Sequence, residues 1–394
     1  MGLPISYNWR NLFVRKTTTL LTVLVITAVV GVFAWLMGFR EALQRSLSFA
    51  SDEHKLIVLK RGATAESNSA IPVDDFNKLS QLADVARDPE TGELLQSPEM
   101  LVQVSLPRVG DGGRTSANVA VRGVTQTAFK VHRNVRVQGA KFLEGIPEVI
   151  VGEACAKQFM GLKIGDTINL GYGGNRGYKV VGTFSADGGP MESEIWGYLP
   201  SLLNSYQRTM YSAVNLRLAK GADPQRVIEQ IEGPAIQLTA KTEREYWREQ
   251  GRFVRTYLGI ASVLVGVMSL AAVFAIANTM FSAVAGRSRE FAMLRTIGFS
   301  PIQILSSVVI ESVFLALIAG ALGCLACDAY LRLAGRTKDM FGATTFTTMA
   351  FEIILTPRIV IGAVGLVCAV AVLGALAPAL RASRLEAVTA LREE

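Results

Sequence analysis

Four long apolar runs set the strongest limit on how this chain can fold. They extend over Thr18–Gly38, Tyr257–Ala283, Val308–Leu331 and Ile359–Pro378. Each has about 20 residues or more, which as a helix rising ~1.5 Å per residue crosses a hydrocarbon layer of ~30 Å. Half of the 394 residues are hydrophobic and only 19% are charged. Buried helices of a large soluble protein are the alternative, but such helices are usually much shorter. The runs therefore predict four membrane-spanning helices.

The first run has two interpretations, because the basic residues Arg10, Arg15 and Lys16 precede it. A cleaved secretory signal has that charge pattern, yet its apolar part is shorter and small residues follow it at the cleavage site. Here Phe33, Trp35 and Leu36 occupy the end of the run. This favours an uncleaved membrane anchor.

Positive charge near the membrane ends predicts the topology, since Lys and Arg prefer the cytoplasmic side. The N-terminal segment, the segment after Ala285 and the C-terminal tail are all basic, and Arg332 and Lys338 in the last loop weaken the contrast. We expect both termini in the cytoplasm. The expected parts are cytoplasmic 1–17, helix 18–38, an extracytoplasmic α+β domain 39–253, helix 254–284, cytoplasmic 285–305, helix 306–331, an extracytoplasmic loop 332–358, helix 359–379 and a cytoplasmic tail 380–394.

The domain between the first two helices alternates strand-like and helix-like stretches, which is typical of an α+β fold. KLIVLK and MLVQVSL flank the helical pattern VDDFNKLSQLA, and SAVNLRL, DPQRVIEQI and IQLTA repeat this arrangement near its end. Between them ANVAVRGV, DTINLGY and GYKVVGTFS read as strands joined by Gly and Asp turns. We predict a β-rich subdomain, residues 115–205, inserted into a discontinuous one.

No catalytic or metal-binding motif is present in the sequence. With only His54 and His132, a histidine metal site or a His-based triad is not supported. The patterns G-x-S-x-G, H-E-x-x-H and G-x-x-x-x-G-K-[ST] do not occur, and GYGGNRG reads as a hairpin turn. The interhelical domain has nearly balanced charge, so the net +7 belongs mainly to the membrane flanks and a nucleic-acid partner is not expected. Cys324 and Cys327 lie in an apolar run, where packing explains them better than redox chemistry.

The segment AGRSREFAMLRTIGFSPIQIL interrupts two apolar runs with an amphipathic pattern. Phe291, Leu294 and Ile297 recur three residues apart, and Arg287 can pair with Glu290. Gly298 can end this helix in a left-handed cap, after which Ser300 and Pro301 suit the start of another. A helix lying on anionic lipid and a helix docking on a protein fit these residues equally well.

The same segment resembles a known family of membrane proteins. Its pattern Arg-x-Arg-Glu-x-x-x-Leu-Arg-x-x-Gly is similar to the coupling segment of the MacB/FtsX/Lol, or type VII, ABC transporter permeases. NWRNLFVRKTTTLLTVLVI, IANTMFSAVAGRSRE, VIVGEACAKQFMGLKIGDTINL with YKVVGTF, and PALRASRLEAVTALR resemble the same family in the same order. Departures are Asp328 in the third helix and the missing arginine near Thr17.

The resemblance implies a non-catalytic permease subunit in a bacterial inner membrane that passes the motion of a separate ATPase to the extracytoplasmic domain. It implies these partners: an ABC ATPase dimer that uses ATP and Mg, a second permease copy or paralogue, membrane lipid, and for some members a periplasmic adaptor with an outer-membrane duct. It implies no cofactor, metal or catalytic residue on this chain. Implied ATPase-coupling residues are Arg287, Arg289, Glu290, Phe291, Leu294, Arg295 and Gly298.

Several residues in the predicted helices are candidates for helix packing or for a dimer axis. They are Asn278, Glu311, Ala319, Gly320, Gly323 and Cys324, among which Ala319/Gly323 and Gly320/Cys324 are spaced for close helix contact. Glu311 is near the cytoplasmic end of its helix. Because the family commonly has an acid there, the resemblance favours an inter-helix structural role over a transport role. Asp328 lies near the opposite end and its role stays open.

Three functions remain in competition. Export or extraction of a substrate by a MacB-like transporter is the leading one, because the large interhelical domain resembles MacB and Lol proteins more than FtsX. An FtsX-like protein would instead signal to an extracytoplasmic cell-wall hydrolase. A membrane-anchored sensor or scaffold would have no ATPase partner.

Overall fold

The computed structural model describes residues 16–49, 52–110, 112–250, 252–333, 337–341 and 348–384. Residues 1–15 of the predicted N-terminal segment and residues 385–394 of the predicted C-terminal tail lie outside these residues. The chain divides into a helical unit, within residues 1–41, 256–336 and 353–394, and an α/β unit, within residues 42–255 and 337–352.

The helices and strands are numbered here in chain order. The helices are α1 (Lys16–Phe49), α2 (Val73–Leu79), α3 (Ala128–Val131), α4 (Glu153–Gln158), α5 (Leu199–Ser205), α6 (Pro224–Glu232), α7 (Glu243–Gln250), α8 (Arg252–Ala285), α9 (Ser288–Thr296), α10 (Pro301–Leu333) and α11 (Pro357–Ser383). The strands are β1 (Lys55–Lys60), β2 (Gln96–Pro107), β3 (Ser116–Val124), β4 (Arg136–Gly139), β5 (Glu148–Gly152), β6 (Thr167–Leu170), β7 (Arg176–Ser185), β8 (Glu194–Tyr198), β9 (Ala213–Arg217), β10 (Leu238–Thr242), β11 (Thr337–Phe341) and β12 (Thr348–Glu352).

Within the part of the chain that the structure describes, four helices are long and apolar enough to cross a membrane: Thr19–Ala42 in α1, Thr256–Ala285 in α8, and the whole of α10 and α11. These are the four spans that the apolar runs predict. The helices exceed the predicted bounds; α10, for example, begins at Pro301 and ends at Leu333. Near its end Asp328 and Arg332 form an i, i+4 ion pair, 2.6 Å between Oδ2 and Nη2.

The helical unit has a core of aliphatic side chains from its long helices. Small residues bring the backbones close together. A Cβ atom on Gly323 would lie 2.8 Å from the carbonyl oxygen of Thr27 and from Cβ of Val30, so α10 crosses α1 there without room for a side chain. A Cβ atom on Gly374 would meet the carbonyl oxygen of Val273 at 2.7 Å, which places α11 equally close to α8.

A ten-stranded mixed sheet organises the α/β unit. Its strand order is β10-β1-β9-β2-β3-β8-β5-β7-β4, and β6 pairs with β7. The pairs β3–β8 and β5–β7 are parallel, whereas the other neighbours are antiparallel. The helices cover the sheet with separate cores, one around Leu56, Val214 and Ile231 and another around Val121, Val149 and Tyr178.

Strand β2 joins the two halves of this sheet. Its first residues, Gln96–Glu99, pair with β9, and Met100–Pro107 pair with β3. A single strand therefore serves both halves, and its change of partner lies upstream of residue 115, where the predicted subdomain begins. The boundary itself stays a prediction. The predicted loop 332–358 contains a β-hairpin of β11 and β12.

Candidate functional site

Helix α9 connects two of the long helices and lies within the segment predicted to couple to an ATPase. Its C-terminal end has the geometry that Gly298 predicts. Gly298 has φ +107°, and the amide N–H groups of Gly298 and Phe299 donate to the carbonyls of Arg295 and Leu294 at 3.2 and 3.1 Å. This pairing is a Schellman motif, which satisfies the last carbonyls of the helix.

The start of α10 has a capping box. The sequence analysis predicted that Ser300 suits a helix start but did not predict the bond to the Gln303 side chain. The Ser300 hydroxyl accepts a hydrogen bond from the Gln303 amide at 3.3 Å, and the Gln303 side chain accepts one from the Ser300 amide at 2.7 Å. Such reciprocal bonds satisfy two backbone donors at the helix start. The turn between α9 and α10 is therefore fixed on both sides.

One face of α9 is buried in the helical unit. Phe291 is 1% exposed and belongs to the same core cluster as Val284, Ile304 and Ala379. Leu294 is partly buried against that cluster. In this structure the Phe291 ring packs inside the chain, and its implied role in coupling to an ATPase stays a prediction.

Arg287 also points inward. Its Nη1 donates to Oε2 of Glu311 at 2.9 Å and its Nε to Glu290 at 3.3 Å, and its guanidinium lies 5.1 Å from the centre of the Phe291 ring. The structure thus brings together two residues that the sequence assigned to different roles, one to coupling and one to helix packing. Arg295 donates to the carbonyl of Phe299 at 3.4 Å across the turn.

The opposite face of this segment presents apolar side chains to the surroundings. Met293 is 59% exposed, Ile297 69% and Ile302 76%. Arg289 and Glu290 are exposed beside them. The sequence analysis assigned no coupling role to these three apolar residues, although Met293 and Ile297 are four residues apart and so share a helix face.

The predicted packing residues are mostly used within the chain. Ala319 is fully buried, Gly323 contacts α1, and a Cβ atom on Gly320 would meet Cγ1 of Val367 in α11 at 3.2 Å. The close contacts of Gly320 and Gly323 are with helices of the same chain, which fits helix packing, and a role at a dimer axis stays a prediction. Cys324 is partly buried against the core and Asn278 is exposed on α8.

A buried ionic cluster in the α/β unit is a feature that the sequence analysis missed. Arg122 of β3 donates to Glu66, Glu99 and Glu194 at 2.7 to 2.9 Å, and all four side chains are at least 90% buried. Although burial opposes its charge, Glu194 and Glu66 raise the pKa of Arg122 above its usual value. A lone arginine in the apolar strand ANVAVRGV was the available sequence signal.

His132 extends the cluster. Its Nε2 lies 2.6 Å from Glu99, and its Nδ1 lies 2.6 Å from Lys55, which also donates to Glu243 at 2.7 Å. Burial and the Lys55 ammonium lower the pKa of His132. Burial alone would raise the pKa of Glu99, but the neighbouring His132 and Arg122 hold it well below its usual value. The cluster joins strands from both halves of the sheet.

The described residues contain no group of three or more His, Cys, Asp or Glu side chains arranged to hold a metal ion. Burial raises the pKa of the Cys155 thiol, so this cysteine lacks thiolate character. The ionic cluster holds two cations, Arg122 and Lys55, and four carboxylates, Glu66, Glu99, Glu194 and Glu243, all of them buried.

Four apolar helices with a large α/β domain between the first and second define a multi-pass membrane protein. Residues 17–233 match the family model of the MacB-like periplasmic core domain, and residues 262–387 match that of the FtsX-like permease C-terminal domain. The chain belongs to the MacB/FtsX-type family of ABC transporter permeases. Permeases of this family operate with ABC ATPase partners and are generally non-catalytic subunits.

Two solved structures are similar to part of the chain. The periplasmic region of MacB from Actinobacillus actinomycetemcomitans aligns with 52% of this chain and 95% of that one, at 14% identity and a TM-score of 0.37. The extracellular domain of the noncanonic ABC-type transporter YknZ from Gram-positive bacteria aligns with 47% of this chain and 99% of that one, at 16% identity and a TM-score of 0.33. No curated protein matches the chain.

Proposed function

We propose that this chain is a permease subunit that transmits the motion of a separate ATPase across a bacterial inner membrane, for export or extraction of a substrate. In this proposal both termini and the α9 segment are cytoplasmic, and the α/β unit is extracytoplasmic. ATP and Mg bind to the partner, because the chain has no P-loop sequence of its own. A second permease copy or paralogue completes the complex.

The exposed apolar surface formed by α9, the turn after it and the start of α10 is the observation that carries the proposal. Met293, Ile297 and Ile302 project from a segment whose other face is already packed and whose turn is capped at both sides. Apolar side chains that are flanked by charges on a short, fixed helix suit a protein groove with a polar rim. The charges Arg289 and Glu290 are placed to supply that rim.

Substitution of the exposed apolar residues tests the docking surface. We expect Ile297→Asp and Met293→Asp to weaken binding of the ATPase to the detergent-solubilised permease by about tenfold or more, as loss of a central apolar contact does. Met210→Asp is the matched control, since Met210 is similarly exposed but belongs to the α/β unit. Unchanged binding by both α9 variants would refute the proposed docking surface.

Topology is tested by labelling. A single cysteine replacing Arg289 should react with a membrane-permeant maleimide and resist an impermeant one in intact spheroplasts. A cysteine replacing the exposed Tyr172 of the α/β unit should react with both. Labelling of position 289 from outside would overturn the proposed orientation.

The consequence for the cell separates export from signalling. In cells that lack the permease, accumulation of a substrate supports transport. Defective cell-wall cleavage without such accumulation would replace transport by an FtsX-like signalling role. Co-purification of a periplasmic adaptor would extend the proposal to a pump with an outer-membrane duct.

A further inference from the structure

Arg287 occupies the junction between α8 and α9. Helix α8 ends at Ala285, and the Arg287 carbonyl accepts the hydrogen bond of Phe291 that opens α9, at 3.1 Å. Its side chain leaves this junction and reaches α10, where Nη1 meets Oε2 of Glu311 at 2.9 Å. The two side chains are only 12% and 6% exposed. An arginine placed this way is directed at its own chain and not at a docked partner.

The two ends of α9 are both fastened to α10. At one end the Schellman motif and the capping box fix the turn at Gly298–Ser300. At the other end is the Arg287–Glu311 pair. Arg287 precedes Gly298 by 11 residues and Glu311 follows Ser300 by 11, so each lies about 16 Å along its helix from the turn. The ion pair therefore closes the open end of a helical hairpin.

We infer that Arg287 and Glu311 are positioning residues that make α9 and the first three turns of α10 one rigid lever, so that displacement of α9 is carried into α10. This inference rests on the proposed docking function and adds the route by which force enters the helices. The charge-assisted bond is shielded from water on most sides, which strengthens it, and loss of either partner leaves the other charge buried and uncompensated. The link from α9 to α8 consists of Gly286 and Arg287.

The experiment separates docking from transmission in the complete complex of permease and ATPase. We expect Glu311→Gln to leave the affinity for the ATPase within about threefold of the parent and to lower transport-coupled ATP turnover roughly 2- to 30-fold, the range of coupling losses for residues between two sites. The exchanged pair R287E/E311R should recover most of that turnover. Asp328→Asn is the control on the same helix, because its partner Arg332 lies on α10 as well.

A distance measurement keeps the test independent of any folding defect in the exchanged pair. Nitroxide labels at Ser288, which is partly exposed on α9, and at the exposed Ser306 of α10 report the separation of the two helices. In the parent complex the distribution of distances between the two labels should be narrow and should be the same with and without a non-hydrolysable ATP analogue. In Glu311→Gln this distribution should broaden. A nucleotide-dependent change in the parent, or turnover in Glu311→Gln equal to the parent, would overturn the lever.

The outcomes also separate this inference from the proposed function. If Glu311→Gln weakens ATPase binding as strongly as Ile297→Asp, the pair shapes the docking surface and the lever is overturned while docking stands. If the Ile297→Asp variant binds the ATPase with the affinity of the parent, the proposed docking surface is refuted.

Discussion

The ammonium of Lys55 lies 2.6 Å from Nδ1 of His132, inside the α/β unit and away from water. An ammonium has only donors, so Nδ1 must accept and the ring proton must sit on Nε2, which faces Glu99 at 2.6 Å. The imidazole is therefore held neutral in the folded protein. Lys55 also donates to Glu243, and Arg122 also donates to Glu99.

This arrangement predicts that the α/β unit loses stability in acid. The pKa of His132 is lowered by folding, so the unfolded chain binds its proton first as pH falls below about 6.5. The stabilisation is complete above that pH and declines below it, by at most ~1.4 kcal/mol per pH unit for one proton. Glu99, whose pKa is also lowered, adds a loss of the same sign at still lower pH. Thermal unfolding of the detergent-solubilised chain between pH 8 and 5 measures the effect.

The variant His132→Gln is the control for this pH dependence. It should be less stable at pH 8 but should show a flatter slope between pH 7 and 5.5. A slope equal to that of the parent chain would assign the acid sensitivity to other groups.

Arg122→Met should destabilise the α/β unit severely. It removes the one cation that contacts three buried carboxylates, Glu66, Glu99 and Glu194, and loss of one partner from such a buried pair typically costs about 3–5 kcal/mol. Urea denaturation followed by tryptophan fluorescence can report it, because Trp196 donates to Glu194 at 2.9 Å. Arg136→Met is the comparison, since the pair of Arg136 with Asp187 is exposed and is expected to contribute about 1 kcal/mol or less. Equal losses in both variants would contradict a central role for Arg122.

Gly323→Ala should destabilise the helical unit by roughly 1–3 kcal/mol, the usual range for overpacking a tight core. The added methyl group would lie 2.8 Å from the Thr27 carbonyl oxygen and Val30 Cβ, and backbone must shift to admit it. Gly365→Ala on α11 is the matched control, because no heavy atom lies within 4 Å of its added methyl group. Thermal unfolding in detergent should place Gly323→Ala below the parent and Gly365→Ala at or above it. The reverse order would argue against the α1–α10 crossing.

Gly298→Ala should weaken the turn between α9 and α10 for a different reason. Space is available at this position, but φ +107° is unfavourable for any residue with a Cβ atom, by about 1–2 kcal/mol. We expect faster amide hydrogen exchange at Phe299, whose N–H donates to Leu294 in the Schellman motif. Gly266→Ala, in the middle of α8 with open space around it, should leave that exchange unchanged. Unaltered protection in Gly298→Ala would mean that another contact holds the turn.

Local features were predictable from the sequence where local rules decide them. The four long helices follow from the length of the apolar runs, and the left-handed Gly298 follows from its place after an amphipathic stretch. The Ser300 cap follows from the same reasoning. The family pattern around Arg287 and Leu294 likewise depends on residue order alone.

The orientation of α9 was not predictable in the same way. A helical repeat of apolar residues identifies a face but does not say whether that face packs inside the chain or outside it. Phe291 and Ile297 are both large and apolar, yet Phe291 is buried in the core and Ile297 is 69% exposed. The pairing of Arg287 with Glu311 depends on where α10 lies beside α9, which no short sequence window contains.

The sequence by itself determined the class of molecule: apolar length specifies spanning helices, and short-range capping chemistry specifies where they start and stop. Only the tertiary structure decided which charges meet. Arg122, Glu66, Glu99 and Glu194 come from well-separated parts of the chain, and Gly323 meets α1 across nearly three hundred residues. Burying a charge is favourable only when an oppositely charged partner lies beside it, and close packing of two helices needs a small residue opposite the neighbouring backbone. The sheet order and the helix packing bring those partners together.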